Sequence, residues 1–233
     1  LMKAKLDAGR ALLYQCARYV DIYKALDDIA RERKLEADER KEQKTYAKLA
    51  DSLTPLAKGM NSEYCNQNTF DALQIHGGSG FMMDYPIQRY YRDARITNIY
   101  EGTTQLQVVA AIRYVTNGSY LAQMRDFEAA AVSADMQPLQ ARAKVMADKF
   151  EEAVAYVKEA GDQCFHDICA RHLVEMAADV IMLHLLLRNA TEAPGMFAKS
   201  AHVYANFVEA EVAKHHAWVM NMTVAQLDNY RQA

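Results

Sequence analysis

The sequence predicts an all-α protein, and three observations carry that prediction. Glycine and proline are scarce, at 9 and 4 of 233 residues, so the turn signals that separate many short strands are missing. Ala, Leu, Met, Glu and Lys are plentiful, and these side chains lose least on entering a helix. Apolar residues recur at helical spacing along most of the chain, and no segment shows the alternation of a half-buried strand.

The elements follow in order. Met2, Leu6, Leu13, Ala17, Val20 and Tyr23 share one face of a first helix that runs to about residue 30. Residues 31–44 mix both charge signs with little apolar content, which predicts a solvated helix end or an exposed loop. Leu49, Leu53, Leu56, Met60, Tyr64 and Leu73 define a long helix over 46–73. Pro55 suits a first turn, so that helix is expected to begin as late as Thr54–Pro55. His76–Gly80 stops it. A short helix follows from Tyr85–Pro86 to about Arg92, then a turn over 98–102. Thr104 and Gln107 have the spacing of a capping box, with Thr104 as N-cap of the next helix. Asn117–Gly118–Ser119 is the clearest boundary. Beyond it, helices are expected at 121–132, 139–159, 162–189 and 196–220, forming a bundle.

Composition excludes several function classes. A net charge of −3 leaves no basic footprint for nucleic acid. The most apolar run, 180–187, is interrupted by His184 and is too short to span a bilayer. The four cysteines, Cys16, Cys65, Cys164 and Cys169, form no disulfide pattern, which fits a reducing, cytoplasmic setting. Cys164, His166, Cys169 and His172 cluster, but helical spacing does not bring them to one tetrahedral point, so no metal site is expected. His215 and His216 are expected on a solvated face, and Arg92 and Asp93 as a structural ion pair.

One acid stands apart. Glu101 follows Ile96, Ile99 and Tyr100 and precedes a Gly-Thr-Thr turn, alone among apolar and small residues. The surrounding stretch, QIHGGSGFMMDYPIQRYYRDARITNIYEGTTQLQ at 74–107, resembles the C-terminal helical domain of the acyl-CoA dehydrogenase family. A Gln-x-x-Gly-Gly-x-Gly turn and an Arg-Asp-Ala-x-Ile…Ile-Tyr-Glu-Gly-Thr stretch occur in the same order and at the same separation. LMKAKLDAGRALLYQCARYV at the start resembles the family's second helix of that domain. The resemblance covers about 1–115. It divides the chain into an incomplete C-terminal-type helical domain at 1–117 and a helical bundle extension at 118–233.

The resemblance implies a flavoprotein oxidoreductase of fatty acid β-oxidation type. Such enzymes convert acyl-CoA to trans-2-enoyl-CoA with FAD and pass electrons to an electron-transfer flavoprotein. Glu101 matches the catalytic base, and Gly102 lies against substrate. Thr103 and Gln105 match positions that contact FAD. Gln74, Gly77 and Gly78 match the turn that reaches the FAD of a neighbouring subunit, which implies a homodimer or homotetramer. The family's other domains hold much of the flavin, so this chain alone is expected to be inactive. The competing expectation is a non-catalytic helical oligomerisation domain.

Overall fold

In a computed structural model, which describes residues 1–231, ten α-helices and one 3-10 turn account for most of the chain, and no strand occurs among the described residues. Residues 232–233 of the expected second unit lie outside the described residues. Helix α1 (Met2–Glu32) and α2 (Ala37–Ile75) form a long antiparallel pair. Short α3 (Gly78–Phe81) and α4 (Ile87–Ile96) turn the chain back along α2 toward α5 (Thr104–Thr116). Then come α6 (Ser119–Glu128), a 3-10 turn at Ala134–Met136, α7 (Gln137–Ala160), α8 (Gln163–Glu192), α9 (Pro194–Asn221) and α10 (Val224–Arg231).

Helix α2 begins well before either expected start. Glu36 and Glu39 form a reciprocal capping box, each side chain accepting from the other's backbone N–H. Gln43 donates to Asp27, and Tyr46 packs on Tyr19 with ring centroids 5.6 Å apart, so the charged segment is zipped onto α1. Pro55 lies inside the helix, not at its first turn. An interior proline costs about 3 kcal/mol through its missing N–H and its ring. The apolar side chains that α2 buries, including Leu53, Leu56 and Ala57, outweigh that cost. Thr54 Oγ1 donates to the Ala50 carbonyl at 2.8 Å beside the interruption.

Helix α8 is the spine. Val180–Leu187 is buried on every side, as a helix with apolar residues all round requires. It packs against α1 and α5 as well as α6, α7 and α9, so one core runs across the Asn117–Gly118 turn. No helix among the described residues is long and apolar enough to cross a membrane.

One polar node lies inside this core. The Asp179 carboxylate on α8 accepts from Tyr64 on α2 at 2.9 Å and from Tyr204 on α9 at 3.4 Å, and the two hydroxyls are 2.9 Å apart. Lys5 of α1 lies over the Tyr64 and Phe207 rings, at 5.3 and 4.6 Å. Burial pushes the Asp179 carboxyl up to about 7, with Glu175 and Glu211 adding to the rise and the two tyrosines opposing it. A folded-state value above the unfolded one means that the native state holds the proton longer. The stability this contributes is full below about pH 4 and is lost as pH rises to about 7. Asp179→Asn should therefore gain stability relative to the native chain as pH rises through that window, then level off. Urea midpoints of both proteins between pH 4 and 8 check it, and a difference that ignores pH would refute it.

Candidate active site

The stretch between α4 and α5 is a tight, open turn. Thr97, Ile99 and Tyr100 close it with backbone bonds to Ala94 and Ile96, and Thr104 N–H donates to the Asn98 carbonyl at 3.3 Å. At its tip Glu101 has φ 50°, and among the described residues it is the non-glycine with positive φ. Gly102 follows at φ 92°. A left-handed L-residue costs roughly 1–2 kcal/mol. Such an outlier is retained where the surroundings over-determine it, and it points toward function.

The N-cap of α5 is Thr103, whose hydroxyl accepts from Leu106 N–H at 3.4 Å, and not Thr104 as the spacing suggested. Thr104 Oγ1 instead donates to Glu63 Oε1 on α2 at 2.5 Å. Gln107 does not reach back to its expected partner; its amide donates to the Gly102 carbonyl at 3.2 Å. Gly102 leaves room for that amide, because a Cβ there would lie 2.7 Å from Gln107 Nε2.

Glu101 is exposed, and its carboxylate takes no hydrogen bond or ion pair among the described residues. Its backbone N–H has no acceptor among the described residues either, and it stands near the N-terminal end of a 13-residue helix. Apolar side chains rim it. Ile96, Ile99, Tyr100, Leu106 and Val109 are all exposed. An exposed apolar surface of this extent marks a contact face.

The other sequence-derived positions fall into two places. Thr103 and Gln105 are exposed beside Glu101 at the start of α5. Gln74, Gly77 and Gly78 are exposed at the far end of α2, where Gly77 has φ 60° and a Cβ on Gly78 would meet nothing within 4 Å. Gly80 folds that turn against α2, since a Cβ there would lie 2.6 Å from the Leu73 carbonyl. Glu63, which touches Thr104, precedes Gln74 by eleven residues of unbroken helix, about 16 Å at the helical rise. The structure does not bring the two sets together in one chain. Both are bare, accessible backbone or polar side chains, which fits approach by a large cofactor.

The remaining expectations resolve as follows. Arg92 and Asp93 are both exposed and form no ion pair with each other. His215 is buried, not solvated, because it continues the stripe Tyr204, Val208, Val212 that α9 turns inward. Its Nδ1 lies 2.8 Å from His172 Nδ1 and its Nε2 3.1 Å from Glu175. Burial lowers the His172 imidazole to about 4. Of the suspected cluster, Cys169 is in the core and Cys164 is exposed. His172 stacks on Trp218 at 3.9 Å, and His166 contacts Thr116 at 3.2 Å. No group of three or more such residues among those described is placed to hold a metal ion.

Comparison with known proteins decides the family. Residues 1–114 match the family model described as acyl-CoA dehydrogenase, C-terminal domain, and residues 116–227 match acyl-CoA dehydrogenase C terminal. The chain belongs to the acyl-CoA dehydrogenase family. The second match also places the extension after Asn117 within this family, a point that the motifs of the first half do not reveal. Similar relatives include a broad-specificity linear acyl-CoA dehydrogenase of Mycobacterium tuberculosis, 47% identical over 64 residues, covering 28% of this chain and 10% of the relative. Another is the caffeyl-CoA reductase-Etf complex subunit CarC of Acetobacterium woodii, 35% identical over 106 residues, 46% of this chain and 22% of the relative. Acryloyl-CoA reductase (NADH) of Anaerotignum propionicum is 61% identical over 44 residues, 19% of this chain and 11% of the relative. The chain thus spans well under a third of the curated relatives it matches. The Bacillus anthracis acyl-CoA dehydrogenase complexed with FAD has the same fold, with TM-score 0.67 and 19% identity over 94% of this chain and 40% of that one.

If the Glu101 turn stores strain, relief and aggravation should be measurable. Glu101→Gly should stabilise the chain by about 1 kcal/mol, while Gly102→Ala should destabilise it by about 1–3 kcal/mol. Denaturant titration checks both signs.

Proposed function

We propose that this chain is the C-terminal part of a flavin-dependent acyl-CoA dehydrogenase, with Glu101 as the general base that takes the α-proton of an acyl-CoA thioester. The observation that carries the reading is Glu101 itself. It is a strained, left-handed glutamate whose carboxylate and amide are both unengaged at the mouth of a helix.

The chemistry follows from that arrangement. A base for a weak carbon acid needs a carboxylate with no competing partner and a site closed to water. Glu101 meets the first need by itself. The apolar rim supplies part of the second once another surface covers it. As the α-proton leaves, charge builds on the thioester oxygen. The Glu101 N–H, with the positive end of α5 behind it, stabilises that charge as an oxyanion donor. FAD, when bound, supplies the acceptor for the β-hydride, giving the trans-2-enoyl thioester. Thr103 and Gln105 hold the flavin beside Glu101. Gly102 lies against the substrate beside Glu101. Gln74, Gly77 and Gly78 approach a second flavin in a neighbouring subunit, so the working unit is a homo-oligomer. An electron-transfer flavoprotein takes the electrons onward.

Proton transfer at one carboxyl is reversible. The same Glu101 therefore serves oxidation of acyl-CoA or, as the names of the two reductase relatives suggest, reduction of an enoyl-CoA. Assays in both directions with a set of acyl chain lengths distinguish these.

In the complete flavoenzyme, Glu101→Gln keeps the shape and removes the base. The turnover number should fall by about 10²–10⁴ with acyl-CoA. Turnover near the native level would remove the assignment. Residues 1–233 alone should purify colourless, without flavin absorbance near 450 nm, because they form only part of the cofactor's surroundings; a yellow preparation with stoichiometric FAD would contradict this.

A further inference from the structure

Something must hold Glu101 in its unfavourable backbone without touching its carboxylate. The turn is anchored on both flanks by two side chains of α2. On one side Lys58 Nζ donates to the Gly102 carbonyl at 2.6 Å and lies 5.9 Å from the Tyr100 ring centroid. On the other, Glu63 Oε1 accepts from Thr104 Oγ1 at 2.5 Å and from Asn98 Nδ2 at 3.3 Å. The bond from Gln107 to the Gly102 carbonyl adds a third tie from α5. Lys58 is half-buried and forms no ion pair with any carboxylate, Glu101 included, among the described residues.

We propose that Lys58 and Glu63 are positioning residues that clamp the turn from α2, so that Glu101 is presented with its carboxylate free and its amide aligned. This rests on the reading of Glu101 as the base. The chemical logic is in where Lys58 spends its charge. An ammonium paired with Glu101 would stabilise the carboxylate and weaken it as a base. Bonded instead to the next residue's carbonyl, it fixes the peptide plane between Gly102 and Thr103 and leaves the carboxylate unpaired. A charge-assisted bond to a half-buried carbonyl is stronger than a neutral one. Glu63 does the complementary work at the loop's neck. Lys58 and Glu63 are five residues apart, about 7.5 Å along the axis, so the turn is held at two separated points and cannot pivot about either.

The test uses the complete flavoenzyme with acyl-CoA and four variants. Lys58→Met removes the ammonium and keeps an apolar stem, Lys58→Arg keeps a charged donor, Glu63→Gln keeps one acceptor, and Glu101→Gln is the reference for loss of the base. Lys58→Met should lower kcat about 10–100-fold with KM within about threefold, because a misplacement of about 1 Å in reacting groups costs about that much. Lys58→Arg should restore most of the loss. Hydrogen exchange of the peptide covering residues 98–107 should accelerate in Lys58→Met while protection in α8 is unchanged, which a general loss of stability would not produce. If Lys58→Met fails to fold, Glu63→Gln carries the same two measurements. Native kcat and native exchange in both variants, with Glu101→Gln inactive, overturn the clamp and leave the base in place. An active Glu101→Gln overturns the base, and the clamp with it.

Discussion

The continuity of α2 is the constraint on which the site depends. A 39-residue helix that does not break at Pro55 acts as one rigid beam. Its middle carries Lys58, Glu63 and Tyr64, and its end carries Gln74 and the glycine turn. Because the beam is unbroken, the Glu101 turn and the Gly77–Gly78 turn are held at a fixed separation of about 16 Å from Glu63 to Gln74. What keeps it unbroken is burial against α1, reinforced by the Glu36–Glu39 cap and the Asn61 amide donating to the Gly9 carbonyl at 3.3 Å. Helical propensity at Pro55 argues the other way, and packing wins.

Much of the fold was legible because it is periodic. The stripe on α1 and the helical spacing of apolar residues over 139–159, 162–189 and 196–220 place α1, α7, α8 and α9 within a few residues of their ends. What escaped was decided by tertiary contacts. The early start of α2 is hidden in a charged stretch that becomes helical because Gln43 and Tyr46 meet Asp27 and Tyr19. Thr103 and Thr104 both suit an N-cap by sequence; in the fold Glu63 engages Thr104, and Thr103 caps α5. His215 pairs with a second histidine in sequence, which suggests a solvated face, but it falls on the buried Tyr204–Val219 stripe. Helix α10 has too little periodicity to announce itself.

At the site, Glu101 was legible from its lone position and the motif around it. Its left-handed backbone was not, since nothing local to Tyr-Glu-Gly demands it. Lys58 and Glu63 lie about forty residues upstream in an ordinary amphipathic helix, and only the folded arrangement shows which of that helix's polar residues meet the turn. The same reasoning explains the apolar rim. Ile96, Ile99, Tyr100 and Leu106 are apolar in the sequence, and only the structure shows that they lie at the surface. The chemistry proposed for Glu101 needs such a surface to be covered.

The shared core bears on how the two halves can be inherited. Each matches a separate family model, as independent modules would, yet α8 from the second half fills space against α1 and α5 of the first. A lineage that lost everything after Asn117 would have to repaint those two helices with polar residues, or recruit a new neighbour to lie over them. The two halves are thus structurally coupled: stripping either would leave apolar side chains of the other uncovered.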